Sequence, residues 1–394
     1  MLIISQRTGF NDEEIEDCRG GSAARILLVS PGLPPDKTGG IENYVRMVRE
    51  GLVRRGHSVT ILTELHRTPL DDSSVLQIGL PEGEFRGYAY WATRAWFRAL
   101  RARYEIMHFN GFPGQILSLA PLPSPKVVHV HNSLSMEAEW RDGELRHDIG
   151  YLVASQAFRR ASVIICPTEV VRRDLSRHLE GLDMGKIRVI PNCVDTQFYN
   201  REHVASDVRD TLKIQDKFVI IYFGKIKRTK GIETLCKAFQ LLKKQVDAAL
   251  IIGGTFPATD IFARYLKATY TDVVFTGFVQ DPRPYYAAAN VFSINTSGFD
   301  GGETFAISLA EAMSMGLPVV CADNPIFAEV TRGNALFAKP GDPESLAEKL
   351  VQLADNHAEG LAMGRRSRAI AERFYDVTTV VEQLENAYSD VSTR

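Results

Sequence analysis

Several common function classes are removed by what this chain lacks. No run of about eighteen apolar residues occurs, so no transmembrane helix is predicted. The N-terminus has no charged-then-apolar leader pattern. Met1 to Ala24 is instead a polar extension containing the acidic run Asn11 to Asp17, which argues against secretion and against a transit peptide. The five cysteines (Cys18, Cys166, Cys193, Cys236 and Cys321) are scattered, with no C-x-x-C pair, and read as free thiols in a reducing cytosol. The net charge of −2 gives no bulk attraction for nucleic acid. No Asp-x-Asp pair, tandem repeat or low-complexity tract is found.

What is present is length and alternation. A chain of 394 residues with 45% apolar content can fill two cores. Short apolar runs suited to buried parallel strands begin with Arg25 to Ser30 and continue at Val59–Leu62, Ile106–Phe109, Lys126–His131, Ser162–Pro167 and Arg188–Asn192. The pattern restarts at Phe218–Gly224 and continues through ALIIGG, VVFTG and VFSINTS. Helices are predicted over 41–55, 206–212 and 231–245, with another starting near Phe305 and a last one over Val377–Ser389. Alternation of this kind twice over predicts an α/β fold of two doubly wound, Rossmann-like parallel-sheet domains. The predicted division is a 1–24 extension, a 25–200 domain, a 201–375 domain and a 376–394 C-terminal segment.

The most informative stretch is Gly301 to Val320. Glu303 precedes a helix start, and Glu311 follows about two turns later. The free N–H groups of Phe305, Ala306 and Ile307 lie between them, beside Thr304. Such a helix start can hold an anion while the carboxylates accept hydrogen bonds from hydroxyls. The same residues also fit an acid favoured by the helix dipole and a surface glutamate.

Lys225, Lys227, Arg228 and Lys230 follow a predicted strand and precede a helix N-terminus, where cations oppose the dipole. A shared anion resolves that conflict and is preferred over a solvated basic loop. Thr38-Gly39-Gly40 follows the first strand and can turn backbone N–H groups toward a phosphate, or form a simple turn. His129 and His131 fall on one face of a strand that ends before Asn132 and Ser133. His129 reads as a sheet histidine, whereas His131 borders an open loop. Arg86 to Phe109 mixes aromatics with Arg94, Arg98, Arg101 and Arg103. It reads as a helix packed on the first sheet, with peripheral contact to an anionic membrane as the second reading.

The Glu303-x7-Glu311 segment resembles the signature of the retaining glycosyltransferases of family 4, which have the GT-B fold. Lys230-Gly231, His131 and Pro191-Asn192 match further family positions. Three positions depart from its pattern: Ala306 and Cys193 where glycine is common, and Lys225 where arginine is usual.

The resemblance covers about Arg25 to Ser389 and implies transfer of a sugar from a nucleotide diphosphate sugar to a hydroxyl acceptor, with retention. It implies catalytic roles for His131, Lys230 and Glu303, and donor contacts from Gly39, Gly40, Lys225, Thr304 to Ile307 and Glu311. Phe275 and Gly277 fall where the family holds the nucleobase. His108 and Asn110 are acceptor-side candidates, and the last helix crosses back to the first domain. Lys225, Lys230 and helix N-termini would neutralise the diphosphate, so no metal and no cofactor beyond the donor is predicted. A nucleotide-sugar epimerase, a phosphorylase and a noncatalytic nucleotide-sugar binder are the competing readings.

Overall fold

The computed structural model describes residues 23–34, 39–64, 72–79, 84–132, 145–254, 260–296 and 303–392. The extension up to residue 22, together with Thr38 and Ser133, lies outside these. In the first half the order is β1 (Arg25–Val29), α1 (Gly40–Arg54), β2 (Ser58–Glu64), β3 (Val75–Ile78), α2 (Glu84–Arg101), β4 (Ile106–Asn110), α3 (Gly111–Ser118), β5 (Lys126–His129), α4 (Leu145–Arg160), β6 (Val163–Cys166), α5 (Glu169–His178) and β7 (Ile187–Val189). The second half runs α6 (Val208–Thr211), β8 (Phe218–Phe223), α7 (Ile232–Leu242), β9 (Ala248–Gly253), α8 (Ile261–Thr269), β10 (Val274–Gly277), α9 (Arg283–Ala288) and β11 (Val291–Ile294). It ends with α10 (Ile307–Ser314), β12 (Val319–Ala322), α11 (Pro325–Val330), β13 (Leu336–Ala338), α12 (Pro343–Asp355), α13 (His357–Phe374) and α14 (Val377–Ser392).

The strands form two separate parallel sheets. One has seven strands in the order β3-β2-β1-β4-β5-β6-β7, the other six in the order β10-β9-β8-β11-β12-β13. Each sheet therefore starts near its middle and winds outward in both directions. The reversals fall between β1 and β4 and between β8 and β11, and the crevice outside the carboxyl ends of such strands is where open parallel sheets take ligands. The residues that follow β1, β4, β8 and β11 are the Gly39-Gly40 turn, α3, the lysine loop and the Glu303 loop. The sequence explains the burial: strands covered on both faces are continuous apolar runs, as in β9, where all six residues are buried.

One local expectation needs correction. The helix placed at Phe305 starts at Ile307, because Ala306 turns the chain with φ 63° and ψ 82°. Helix α3 was not anticipated; its proline lies within the first turn, where no intrahelical N–H is lost. Strand β3 was not anticipated, since only Val75 and Ile78 of its four residues are buried.

Helix α14 lies against α1. Val377, Val380, Val381, Leu384 and Tyr388 line one stripe and join the core formed by Tyr44, Val48 and Leu52. Gly51 permits that approach, since a Cβ there would lie 2.7 Å from a Val381 methyl. The two domains also meet through polar contacts. The Glu329 carboxylate on α11 accepts the backbone N–H groups of Glu169 (2.6 Å) and Val170 (3.0 Å) at the start of α5. Thr168 donates to the Thr304 carbonyl (3.2 Å), and Thr304 donates to the His131 carbonyl (3.2 Å). The Glu303 loop is thereby tied to the end of β5 across the cleft.

Candidate active site

Ala306 is the N-cap of α10 and makes no side-chain cap. Its backbone lies in the left-handed region, which costs a non-glycine residue about 1–2 kcal/mol. A glycine, which the family resemblance leads one to expect at this position, would take this conformation without that cost. The ladder begins with Leu309 donating to the Ala306 carbonyl. The preceding N–H groups of Ile307 and Ser308 therefore belong to an uncapped helix N-terminus, a polar environment suited to an anion.

Lys230 reaches this helix start from the other side. It ends a single 3-10 turn, Arg228–Lys230, and Gly231 follows with φ 65° as the N-cap of α7. A Cβ on Gly231 would run into the Asn295 carbonyl, so the chain passes directly over the end of β11. Lys230 Nζ thus lies 2.5 Å from Glu303 Oε1, with 15% and 14% of the two side chains exposed. Lys225 is exposed and makes no ion pair among the described residues; its carbonyl accepts the Tyr222 hydroxyl at 3.1 Å. Arg228 sits over the Phe262 ring at 4.7 Å, and Lys227 is exposed.

Glu311 is one turn along α10. Its two oxygens accept the phenols of Tyr199 (2.9 Å) and Tyr286 (3.1 Å). Burial raises the carboxyl above its ordinary value, and the two phenols and Arg46 oppose that shift. Neither tyrosine was singled out in the sequence. They lie 112 and 25 residues from Glu311, so only the fold brings them there. At the ends of β9 and β10, Gly254 N–H donates to the Gly277 carbonyl (2.9 Å), and Gly277 has φ 71°. Phe275 packs on the domain core, while its neighbour Phe278 is 55% exposed.

From the first domain, α1 points its N-terminus at α10. Gly39 is its N-cap without a side-chain cap, and a Cβ on Gly40 would lie 3.4 Å from Ile307 Cδ1. The Glu42 carboxylate lies against Gly39, an acid in the first helical turn that the sequence reading passed over. Beyond β5, His131 stacks on His129 with ring centres 4.2 Å apart, and His129 stacks on His108 at 5.7 Å. Burial lowers His131 and His108 to about 3, with each imidazole kept neutral; the neighbouring His108 adds to the shift of His131.

The acceptor-side assignment of His108 and Asn110 is not supported by their positions. His108 is fully buried and pairs through Nδ1 with the Tyr388 hydroxyl of α14 at 2.8 Å. Asn110 is 1% exposed, and its amide lies between His131 Nε2 (2.9 Å) and the Val29 carbonyl (3.2 Å). A cavity of about 660 Å³ lies elsewhere, at the far end of α10 beside Arg368 and α13.

The cleft thus brings together two uncapped helix N-termini, one lysine–glutamate pair, one buried glutamate and one neutral histidine. Comparisons with known proteins agree with that composition. The model described as Glycosyltransferase Family 4 matches residues 38–198, and that described as Glycosyl transferases group 1 matches residues 217–356. An uncharacterized glycosyltransferase of Methanocaldococcus jannaschii is 23% identical, covering 82% of this chain and 87% of its own length. A D-inositol 3-phosphate glycosyltransferase of Corynebacterium diphtheriae is 24% identical, with 93% and 95% covered. Among solved structures, Anabaena HepE in complex with UDP and glucose superposes with a TM-score of 0.78 at 20% identity, covering 93% of this chain and all of that one. Sucrose-phosphate synthase of Thermosynechococcus elongatus gives 0.80 at 19%, with 94% and 99% covered. The two family models together match well over half of the chain, which therefore belongs to the family 4 glycosyltransferases of the GT-B fold.

Proposed function

We propose that this glycosyltransferase moves a sugar from a nucleotide diphosphate sugar to a hydroxyl acceptor, with retention at the anomeric carbon and without a metal ion. The observation that carries the reading is the Lys230–Glu303 pair at the uncapped start of α10. An incoming diphosphate takes over the Lys230 ammonium and the free N–H groups of α10. Lys225 adds a second cation, and the α1 N-terminus closes from the opposite domain. Glu303, released from Lys230, accepts hydrogen bonds from donor-sugar hydroxyls. Glu311 keeps lone pairs beyond those used by its two tyrosines and accepts from the ribose. His131 meets the sugar from the first domain, so turnover requires the domains to close.

In the proposed step the bond from the anomeric carbon to the diphosphate oxygen breaks, and the acceptor oxygen bonds to that carbon on the same face. The acceptor proton passes to the departing phosphate oxygen. No side chain acts as a covalent nucleophile. Peripheral contact with a lipid-borne acceptor is part of the proposal, because α2 exposes Tyr90, Phe97 and Leu100 beside Arg94, Arg98 and Arg101.

The test is incubation of the full chain with a panel of nucleotide sugars and hydroxyl acceptors in EDTA, reading nucleotide release and product anomeric configuration by proton NMR. Transfer with retained configuration in EDTA supports the reading. Inversion refutes retention, dependence on added metal refutes metal independence, and conversion of the donor sugar without acceptor supports an epimerase instead.

A further inference from the structure

We infer that Asn110 is a positioning residue: its amide, anchored on the Val29 carbonyl, fixes His131 in the tautomer that carries hydrogen on Nε2 and leaves Nδ1 as an acceptor for a donor-sugar hydroxyl. The inference rests on the proposed role of His131. It assigns Asn110 a task different from touching an acceptor.

The argument begins with a polar group that does not do its ordinary local job. Asn110 ends β4 and is the N-cap of α3, a position that asparagine commonly fills by bonding a first-turn N–H. Here the side chain makes no capping bond. It is 1% exposed and committed to two other partners. A backbone carbonyl can only accept, so the contact with Val29 O at 3.2 Å must come from Nδ2. Oδ1 therefore faces His131 Nε2 at 2.9 Å and, being an acceptor, requires hydrogen on that nitrogen. Since the ring is neutral, Nδ1 carries the lone pair.

The ring plane is also held. His129 stacks on it at 4.2 Å with planes 7° apart, and Tyr44 meets it edge-on at 5.6 Å. The His131 carbonyl is engaged by Thr304 from the other domain. Among the described residues, the groups around the imidazole are Asn110, His129 and Tyr44, with His108 beyond His129, and none of these is a carboxylate. A neutral ring that accepts at Nδ1 selects a sugar group bringing a proton, so a hydroxyl is favoured over its O-methyl or deoxy counterpart.

The test uses the full chain with 15N-labelled histidine, in wild type, Asn110→Ala, Asn110→Asp and His131→Ala. Wild-type His131 should show protonated Nε2 and unprotonated Nδ1 across pH 5 to 8. In Asn110→Ala the two tautomers should mix, and kcat should fall about tenfold, the equivalent of one lost hydrogen bond. Asn110→Asp, nearly the same shape, places a carboxylate on Nε2. It should make the imidazolium form at higher pH and give turnover a new acid limb. A pure structural role would lower the melting temperature and leave tautomer and pH profile alone. The inference is overturned if Asn110→Ala keeps the wild-type tautomer, or, should that variant not fold, if Asn110→Asp leaves the His131 titration unmoved. Undiminished turnover in His131→Ala would refute the role of His131 itself, a separate outcome from the tautomer readout.

Discussion

Replacing Lys230 with alanine separates the structural use of the Lys230–Glu303 pair from its chemical use. The two charged groups are 2.5 Å apart, with about a seventh of each side chain exposed. Removing one partner of a fully buried pair costs roughly 3–5 kcal/mol, because the other charge is stranded. Partial solvent access here reduces that to about 2 kcal/mol, worth roughly 5 °C in melting temperature. The loss of a preorganised cation facing the leaving diphosphate costs a further ~3 kcal/mol of barrier, or ~100-fold in kcat. The double variant Lys230→Ala/Glu303→Gln removes the stranded charge. It should recover most of the stability and none of the turnover. Thermal unfolding and initial rates at saturating donor read the two effects apart. Near-normal turnover in Lys230→Ala, or activity restored in the double variant, would refute the reasoning.

Further outcomes follow from the same geometry. His108 has a folded pKa near 3 against about 6.5 unfolded, so its contribution is complete above pH 6.5 and is lost as pH falls toward 3. That loss reaches about 2 kcal/mol at pH 5, and urea unfolding at pH 7 and pH 5 should show it shrink in His108→Asn. Glu311, raised by burial, acts in the opposite sense as pH rises through its folded value. Gly231→Ala forces a Cβ into the Asn295 carbonyl at a positive φ; a loss of at least about 2 kcal/mol in denaturant unfolding is expected, with turnover falling as Lys230 is displaced. Glu329→Gln leaves one acceptor for the two N–H groups at the start of α5, and should cost about 1 kcal/mol in thermal unfolding at low salt.

The sheets were legible because each buried strand is a short apolar run; Ile26 to Val29 and Ile220 to Phe223 could not sit anywhere but inside. Strand β3 was not, since four residues with two facing outward carry little signal. The start of α10 was misplaced by two residues, because hydrophobic periodicity does not encode the left-handed turn at Ala306. Within the site, position after central strands drew attention to the Lys230 and Glu303 loops but left a solvated loop and a surface acid open, and it was the family resemblance that singled the two residues out. The partners of the site residues were not legible. Tyr199 reaches Glu311 and Thr168 reaches Thr304 only after two domains have folded and met. His108 and Asn110 show the opposite difficulty: polar residues at a strand end look ready for a ligand, and only burial reveals that Tyr388 and His131 already use them.

The central claim is a metal-independent nucleotide diphosphate site between the domains. Thermal unfolding of the full chain with UDP, GDP, ADP and TDP, each with and without EDTA, tests it most directly. A nucleotide at 100 times its dissociation constant adds about 2.7 kcal/mol. The account predicts such a rise with at least one nucleotide, unchanged by EDTA and lost in Lys230→Ala. No rise with any of the four, or a rise that EDTA abolishes, would contradict it.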